Sequence, residues 1–241
     1  MKKTYFFSII SILLVWTGLS IYVDSSIVLP SIFDVAICLY QLVISPDTYI
    51  AIGLTLSRLF MGITISFLFA LGLASLAYRY QKVKEFIYPI VLIAKTIPTV
   101  SIIVLTLIWF GREGTITTIV SLVVFPILYS NILFGFNSID KAILDDLKLI
   151  DTSYFNKLIY VYLPLIRHQI MESLKVTVSL GFKVSIMSEL LAQIRVGIGR
   201  EIYFNKINIL TDRIFAWTII IIFVSMLLDK SLIYLSNYLK D

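Results

Sequence analysis

The stretch LTLSRLFMGITISFLFALGLASLAY, residues Leu54–Tyr78, holds a single charged side chain, Arg58. A bilayer core about 30 Å thick is crossed by about 20 apolar residues in a helix, so this stretch reads as a membrane span. It must be helical, because lipid offers no partner to an unpaired backbone N–H or C=O. The same reading recurs on both sides. Upstream, Tyr5–Val23 follows Lys2 and Lys3. Its end, Ser20-Ile21-Tyr22-Val23-Asp24, lacks the small-x-small pattern of a cleaved leader, so it reads as a retained first span. Downstream, spans are expected over Phe86–Phe110 (interrupted by Lys95 and Pro98), Thr115–Phe136 (with Pro126), Ile170–Ala192 and Ile214–Ser236. Gly111-Arg112-Glu113-Gly114 reads as a tight turn. The expected fold is all-α: a polytopic membrane bundle of about six transmembrane helices. Residues 1–28 form an N-terminal transmembrane helix and 29–241 the core of the bundle.

Composition agrees. Only 15% of the 241 residues are charged, against about 25% in soluble domains, and the mean hydropathy is +0.96. The net charge of +5 does not point to nucleic acid, because the basic residues lie mostly in short segments between apolar runs, where membrane topology places them. Lys2, Lys3, Arg79, Lys82, Lys84 and the basic residues of 137–169 fall on one side of six alternating spans, as does the C-terminal tail. That side, with both termini, is expected to be cytoplasmic. Segment 193–213 dissents: it carries Arg195, Arg200, Lys206 and Arg213 yet falls outside. With Cys38 and His168 each unique, no disulfide, cysteine cluster or nucleophilic triad can be assembled. His168 and Glu172, four residues apart, are too few to hold a metal. No G-x-x-x-x-G-K-[ST] phosphate loop is present, so any ATP chemistry belongs to another chain. No catalytic residue and no cofactor are expected.

Ionisable residues inside spans cost about 2.5–3.5 kcal/mol at the bilayer centre and mark polar paths or partners. Arg58, Lys95 and Glu189 are the candidates for a translocation path, while Arg58 and Lys183 also read as side chains reaching for the interface. A path lined by lysine and arginine suits an anion such as a sulfonate.

Residues 137–169 break the apolar pattern with an amphipathic, helical period. Thr152 or Ser153 can cap a short helix in which Phe155, Leu158 and Ile159 fall at i, i+3 and i+4. Such a stripe either lies on the membrane interface or docks into a partner's groove. From Asp145-Asp146-Leu147 through Asp151 to Val161-Tyr162-Leu163-Pro164, the stretch resembles the EAA loop of bacterial ABC importer permeases. That pattern is Glu-Ala-Ala, three residues, Gly, nine residues, Ile-x-Leu-Pro. Leu163-Pro164 match it, Val161 stands for Ile, Asp151 for Gly, and only Asp145 is a chemical relative of the opening Glu.

The resemblance extends over about residues 29–236. It runs through Leu29-Pro30-Ser31, Thr55-Leu56-Ser57-Arg58 with Gly62, Tyr88-Pro89, Lys95-Thr96-Ile97-Pro98, Trp109-Phe110-Gly111, Phe125-Pro126, Ser188-Glu189, Gly197-Ile198-Gly199 and Leu227-Leu228-Asp229. The branch resembled is the nitrate/sulfonate/taurine type, which includes permeases for pyrimidine vitamin precursors. It implies a homodimeric permease in the bacterial cytoplasmic membrane. Two ATPase subunits carrying ATP and magnesium receive the loop as a coupling helix, and an extracytoplasmic solute-binding protein delivers the solute. The coupling residues implied are Asp145, Asp151, Thr152, Ser153, Phe155, Lys157, Leu158, Ile159, Leu163 and Pro164, with Phe155 and Leu158 at the buried contacts and Asp151 and Lys157 at the rim. The alternative is a stand-alone ion-coupled carrier with Glu189 and Lys95 in a proton relay. A carrier of that kind often shows an internal repeat, and none is visible in the sequence.

Overall fold

A computed structural model describes residues 2–149 and 151–238. Ile150 and the tail residues Lys240 and Asp241 lie outside the described residues, as do the side chains of Lys2, Lys3 and Lys148. The described chain is helical, without strands. In order, α1 covers Lys2–Val23, α2 Ile32–Ile44, α3 Pro46–Arg79, α4 Gln81–Thr96, α5 Thr99–Asn137 and α6 Lys141–Leu149. After these come α7 (Tyr154–Lys157), a π-helical turn (Leu158–Tyr162), α8 (Leu163–Leu165), α9 (Arg167–Ala192), α10 (Ile198–Ile207) and α11 (Thr211–Tyr238).

Three helices, α3, α5 and α11, are long and apolar enough to cross a bilayer, and α1 and α2 contain shorter apolar stretches. At 26 residues α9 is also long, but Arg167, Glu172, Lys175, Lys183 and Glu189 dilute its apolar character. The outer surface is the inverse of a soluble protein's. Phe60, Leu68, Phe69, Ile108, Trp109, Phe110, Ile222 and Phe223 all stand exposed on it, a surface that only lipid or a partner can cover without penalty. Inside, α3, α5 and α9 form the core. Small residues of α3 (Ala51, Ala70, Ala74, Ala77) let the helices approach, and Ile119, Val120, Val124, Leu128 and Phe182 fill the seam.

The breaks fall differently from the sequence expectation. Ile97 is held extended (φ −68°, ψ 130°) because the ring of Pro98 excludes helical backbone before it. The expected third span therefore divides at 97–98, and Thr99–Phe110 joins the next helix. The glycine-rich turn at 111–114 is a kink at one residue: Gly111 takes φ +67°, ψ −174° inside α5, a backbone open to glycine but costly for other residues. The Thr115 hydroxyl donates to the Gly111 carbonyl at 2.6 Å across the kink. Pro126 also sits within α5, and its ring does not break that helix.

Candidate functional site

Two groups of residues stand out, at opposite ends of α9. The first is the amphipathic segment. The Ser153 side chain accepts from the Asn156 N–H and caps α7, as expected of a residue at that position. Lys157 Nζ donates to the Leu147 carbonyl at 2.7 Å, tying α7 to α6. The Tyr154 hydroxyl donates to the Ser75 carbonyl at 2.9 Å, and the Arg79 guanidinium lies 4.6 Å from the Tyr154 ring centre. Burial, with Tyr162 beside it, pushes the Tyr154 phenol above its ordinary value, while the Arg79 charge opposes the shift. Tyr78 packs against Phe136 and Tyr162, with ring centres 5.2 and 5.8 Å away. Tyr154 lies 6.1 Å from Tyr162. This cluster fixes the segment to the ends of α3 and α5.

The face turned outward is narrower than helical periodicity implies. Phe155 is 66% exposed, Ile159 38% and Tyr160 75%. Leu158 and Leu163, both half-buried, pack against the core. A π-helical turn, with i→i+5 bonding, begins at Leu158. Asp145, Asp151, Thr152 and Pro164 are surface residues around this face. Tyr154, Tyr160 and Arg79 were missed by sequence reasoning; an aromatic run in a polar segment was the available signal.

The second group is buried. Glu189, on α9, is fully enclosed. Its Oε1 accepts from the Arg58 guanidinium at 3.0 Å. Its Oε2 accepts from the Thr55 hydroxyl at 2.9 Å and from the Gly199 N–H at 3.0 Å. Arg58 also donates to Glu113 at 2.7 Å and to the Val196 carbonyl at 3.0 Å, and Thr55 accepts from the Ile198 N–H at 3.0 Å. A Cβ on Gly197 would lie 2.7 Å from Glu189 Oε2, and one on Gly199 would collide with the Ile186 carbonyl oxygen. Side chains are therefore excluded where α10 begins. Three scattered sequence motifs, Thr55–Arg58, Ser188-Glu189 and Gly197-Ile198-Gly199, meet here as one polar lock. Thr55 and Glu113 were not singled out as site residues, although Thr55 lies one helical turn before Arg58.

Lys95 is not part of this lock. It stands in a separate cleft, donating to the Ser130 hydroxyl at 2.9 Å. His168 Nε2 lies 4.0 Å from Glu172, which pairs with Lys175 at 2.7 Å. Among the described residues no group of three or more His, Cys, Asp or Glu side chains is placed to hold a metal ion.

No family model matches the chain. Three characterised or named proteins resemble it over long stretches. The trimethylamine N-oxide transport system permease protein TmoV of Pelagibacter ubique is 24% identical over 156 residues, which is 64% of this chain but only 22% of TmoV. A provisionally named ABC transporter permease protein of Methanocaldococcus jannaschii is 23% identical over 230 residues, 92% of this chain and 85% of that one. SsuC of Bacillus subtilis, provisionally named an aliphatic sulfonates transport permease protein, is 22% identical over 209 residues, 86% of this chain and 75% of SsuC. The chain is a homologue of ABC transporter permeases.

Proposed function

We propose that the chain is the membrane-spanning subunit of an ATP-driven importer, with about six crossings and both termini in the cytoplasm. It works as a homodimer with two ATPase subunits, which carry ATP and magnesium. An extracytoplasmic binding protein delivers a small solute of the sulfonate, taurine, nitrate or vitamin-precursor class. TmoV is named for trimethylamine N-oxide and SsuC for aliphatic sulfonates, so small polar solutes recur among the relatives. The observation that carries the reading is the segment Tyr154–Leu165. It is clamped to the bundle by Tyr154, Lys157 and Tyr162, yet presents Phe155, Ile159 and Tyr160 outward. An apolar knob on a fixed polar platform suits insertion into a groove of a partner. A stand-alone proton relay gains no support from Glu189, since both its oxygens are held by donors.

The test is purification with candidate ATPase subunits from the same membrane in mild detergent. A stoichiometric complex whose ATPase activity responds to the permease is expected for the unaltered chain. Phe155→Asp should insert normally, lose the ATPase and lose uptake. Reconstituted uptake by the chain alone, without any ATPase, would overturn the assignment.

A further inference from the structure

The helical path from α4 into α5 is broken at membrane depth. Ile97 and Pro98 are both extended, at φ −68°, ψ 130° and φ −59°, ψ 126°. The break lies about 24 Å along α4 from Gln81, and Thr99–Phe110 continues for about 18 Å beyond it. Pro98 has no N–H, so the Ala94 carbonyl lacks the donor that a continuous helix supplies. Lys95, Thr96, Ile97 and Pro98 are all exposed. Irregular backbone at such depth is tolerated where protein buries it or water reaches it, and not against lipid.

Lys183 makes the same demand on α9. It is exposed and has no hydrogen bond or ion pair among the described residues. It stands about 24 Å from Arg167 and about 13 Å from Ala192 along the helix, whereas lysines that reach for the interface lie near helix ends. The open face of α11, by contrast, carries Ile222, Phe223, Met226 and Leu227, which lipid covers at no cost.

The break and Lys183 share one side of the bundle. A cleft of about 400 Å³ between α4 and α5 is lined by Lys95 and Phe134. A second, of about 370 Å³ between α5 and α9, is lined by Phe134, Glu172 and Val176. Phe134 lines both, so α4, α5 and α9 form one continuous side. Lys183 follows Glu172 at i+11 and Val176 at i+7, on the same face of α9.

We infer that the α4–α5–α9 side faces a water-filled path, with the Ile97-Pro98 break and Lys183 as its polar points at mid-depth. The inference rests on the permease reading for the word path. It moves the path away from Arg58 and Glu189, which neutralise each other in the lock, and takes Lys183 off the membrane interface.

The experiment uses the full chain with Cys38→Ser in nanodiscs. Thr96→Cys, Val176→Cys and Lys183→Cys are made singly, with Lys82→Cys as the water control and Ile222→Cys as the lipid control. Reaction with a membrane-impermeant methanethiosulfonate is followed by mass spectrometry; it needs the thiolate, which apolar surroundings suppress. All three should react within about tenfold of Lys82→Cys and at least about a hundredfold faster than Ile222→Cys. Val176→Cys removes neither the lysine nor a residue at the break, so it reports the face where another variant fails to fold. Rates at Thr96→Cys and Lys183→Cys as slow as at Ile222→Cys overturn the inference. Fast reaction at only one of the two overturns the continuous side. Slow reaction together with oxidative cross-linking of Lys183→Cys to a second copy assigns the side to a dry contact between copies, and also overturns it. Fast reaction in a chain that binds no ATPase keeps the aqueous side and removes the permease reading. ATP-dependent uptake by a complex in which Thr96→Cys and Lys183→Cys stay unreacted, with and without ATP, does the reverse.

Discussion

Replacing Glu189 with alanine removes the acceptor for three donors, and the structure says how much each then loses. Thr55 keeps a partner, since the Ala51 carbonyl lies 3.0 Å from its hydroxyl. Arg58 keeps Glu113 and the Val196 carbonyl. The Gly199 N–H, in the first turn of α10, keeps no other acceptor among the described residues, and a buried orphan N–H costs about 1–3 kcal/mol. Breaking a buried ion pair by removing one partner costs about 3–5 kcal/mol when the remaining charge is stranded, and here it is not stranded. Interhelical bonds in membrane proteins average only about 0.6 kcal/mol. Together these place Glu189→Ala at about 2–4 kcal/mol of destabilisation. Glu113→Ala should cost about 0–1 kcal/mol, because the Glu113 side chain is 56% exposed. The assay is reversible unfolding in mixed micelles of increasing SDS fraction, followed by tryptophan fluorescence; Trp217 is buried in the core and reports its opening. A Glu189→Ala loss below about 1 kcal/mol, or a Glu113→Ala loss equal to it, would refute the view that the buried carboxylate organises the lock.

Other outcomes follow from single contacts. Gly199→Ala should destabilise by about 1–3 kcal/mol in the same assay, since its Cβ meets backbone at the Ile186 carbonyl and the Leu190 nitrogen; an unchanged midpoint would show that α10 shifts freely. Tyr154→Phe should cost about 0.5–1.5 kcal/mol and raise the mobility of a spin label at Tyr160→Cys in a Cys38→Ser background; unaltered mobility would separate the segment from α3. Burial, and then the hydrogen bond and charge of Asp212, raise the Cys38 thiol from 9.0 to about 11. The thiolate is the reactive form, so maleimide labelling should stay slow through pH 9 and rise only as pH approaches 11. Asp212→Asn should move that rise to lower pH, and a wild-type profile centred near 9 would contradict the Sγ–Asp212 contact.

Much of the helical layout was legible because lipid imposes a coarse rule, a long apolar run for each crossing, and Leu54–Tyr78 and Ile214–Ser236 fall inside α3 and α11. What sequence could not weigh was the contest between breakers. Ile97-Pro98 ends a helix because the constraint acts on the preceding residue's backbone, whereas Gly111 permits a bend without requiring a loop. Arg58 and Glu189 were visible as costly charges, but their pairing spans 131 positions in the chain, and no local pattern reports a contact of that range. The π-helical turn at Leu158–Tyr162 likewise had no local signal in the sequence.

That turn is part of a run with almost no slack. From Tyr154 to Ala192 the chain is helical apart from Ile166, which separates α8 from α9 and is itself buried. Arg167 and Glu189 are then about 33 Å apart along one rod. Tilting such a rod by about 5° about its Arg167 end swings the far end by about 3 Å, as long as the hydrogen bonds holding Glu189. Under the proposed function, a push on the segment around Phe155 would reach the Glu189 lock as a displacement of that size.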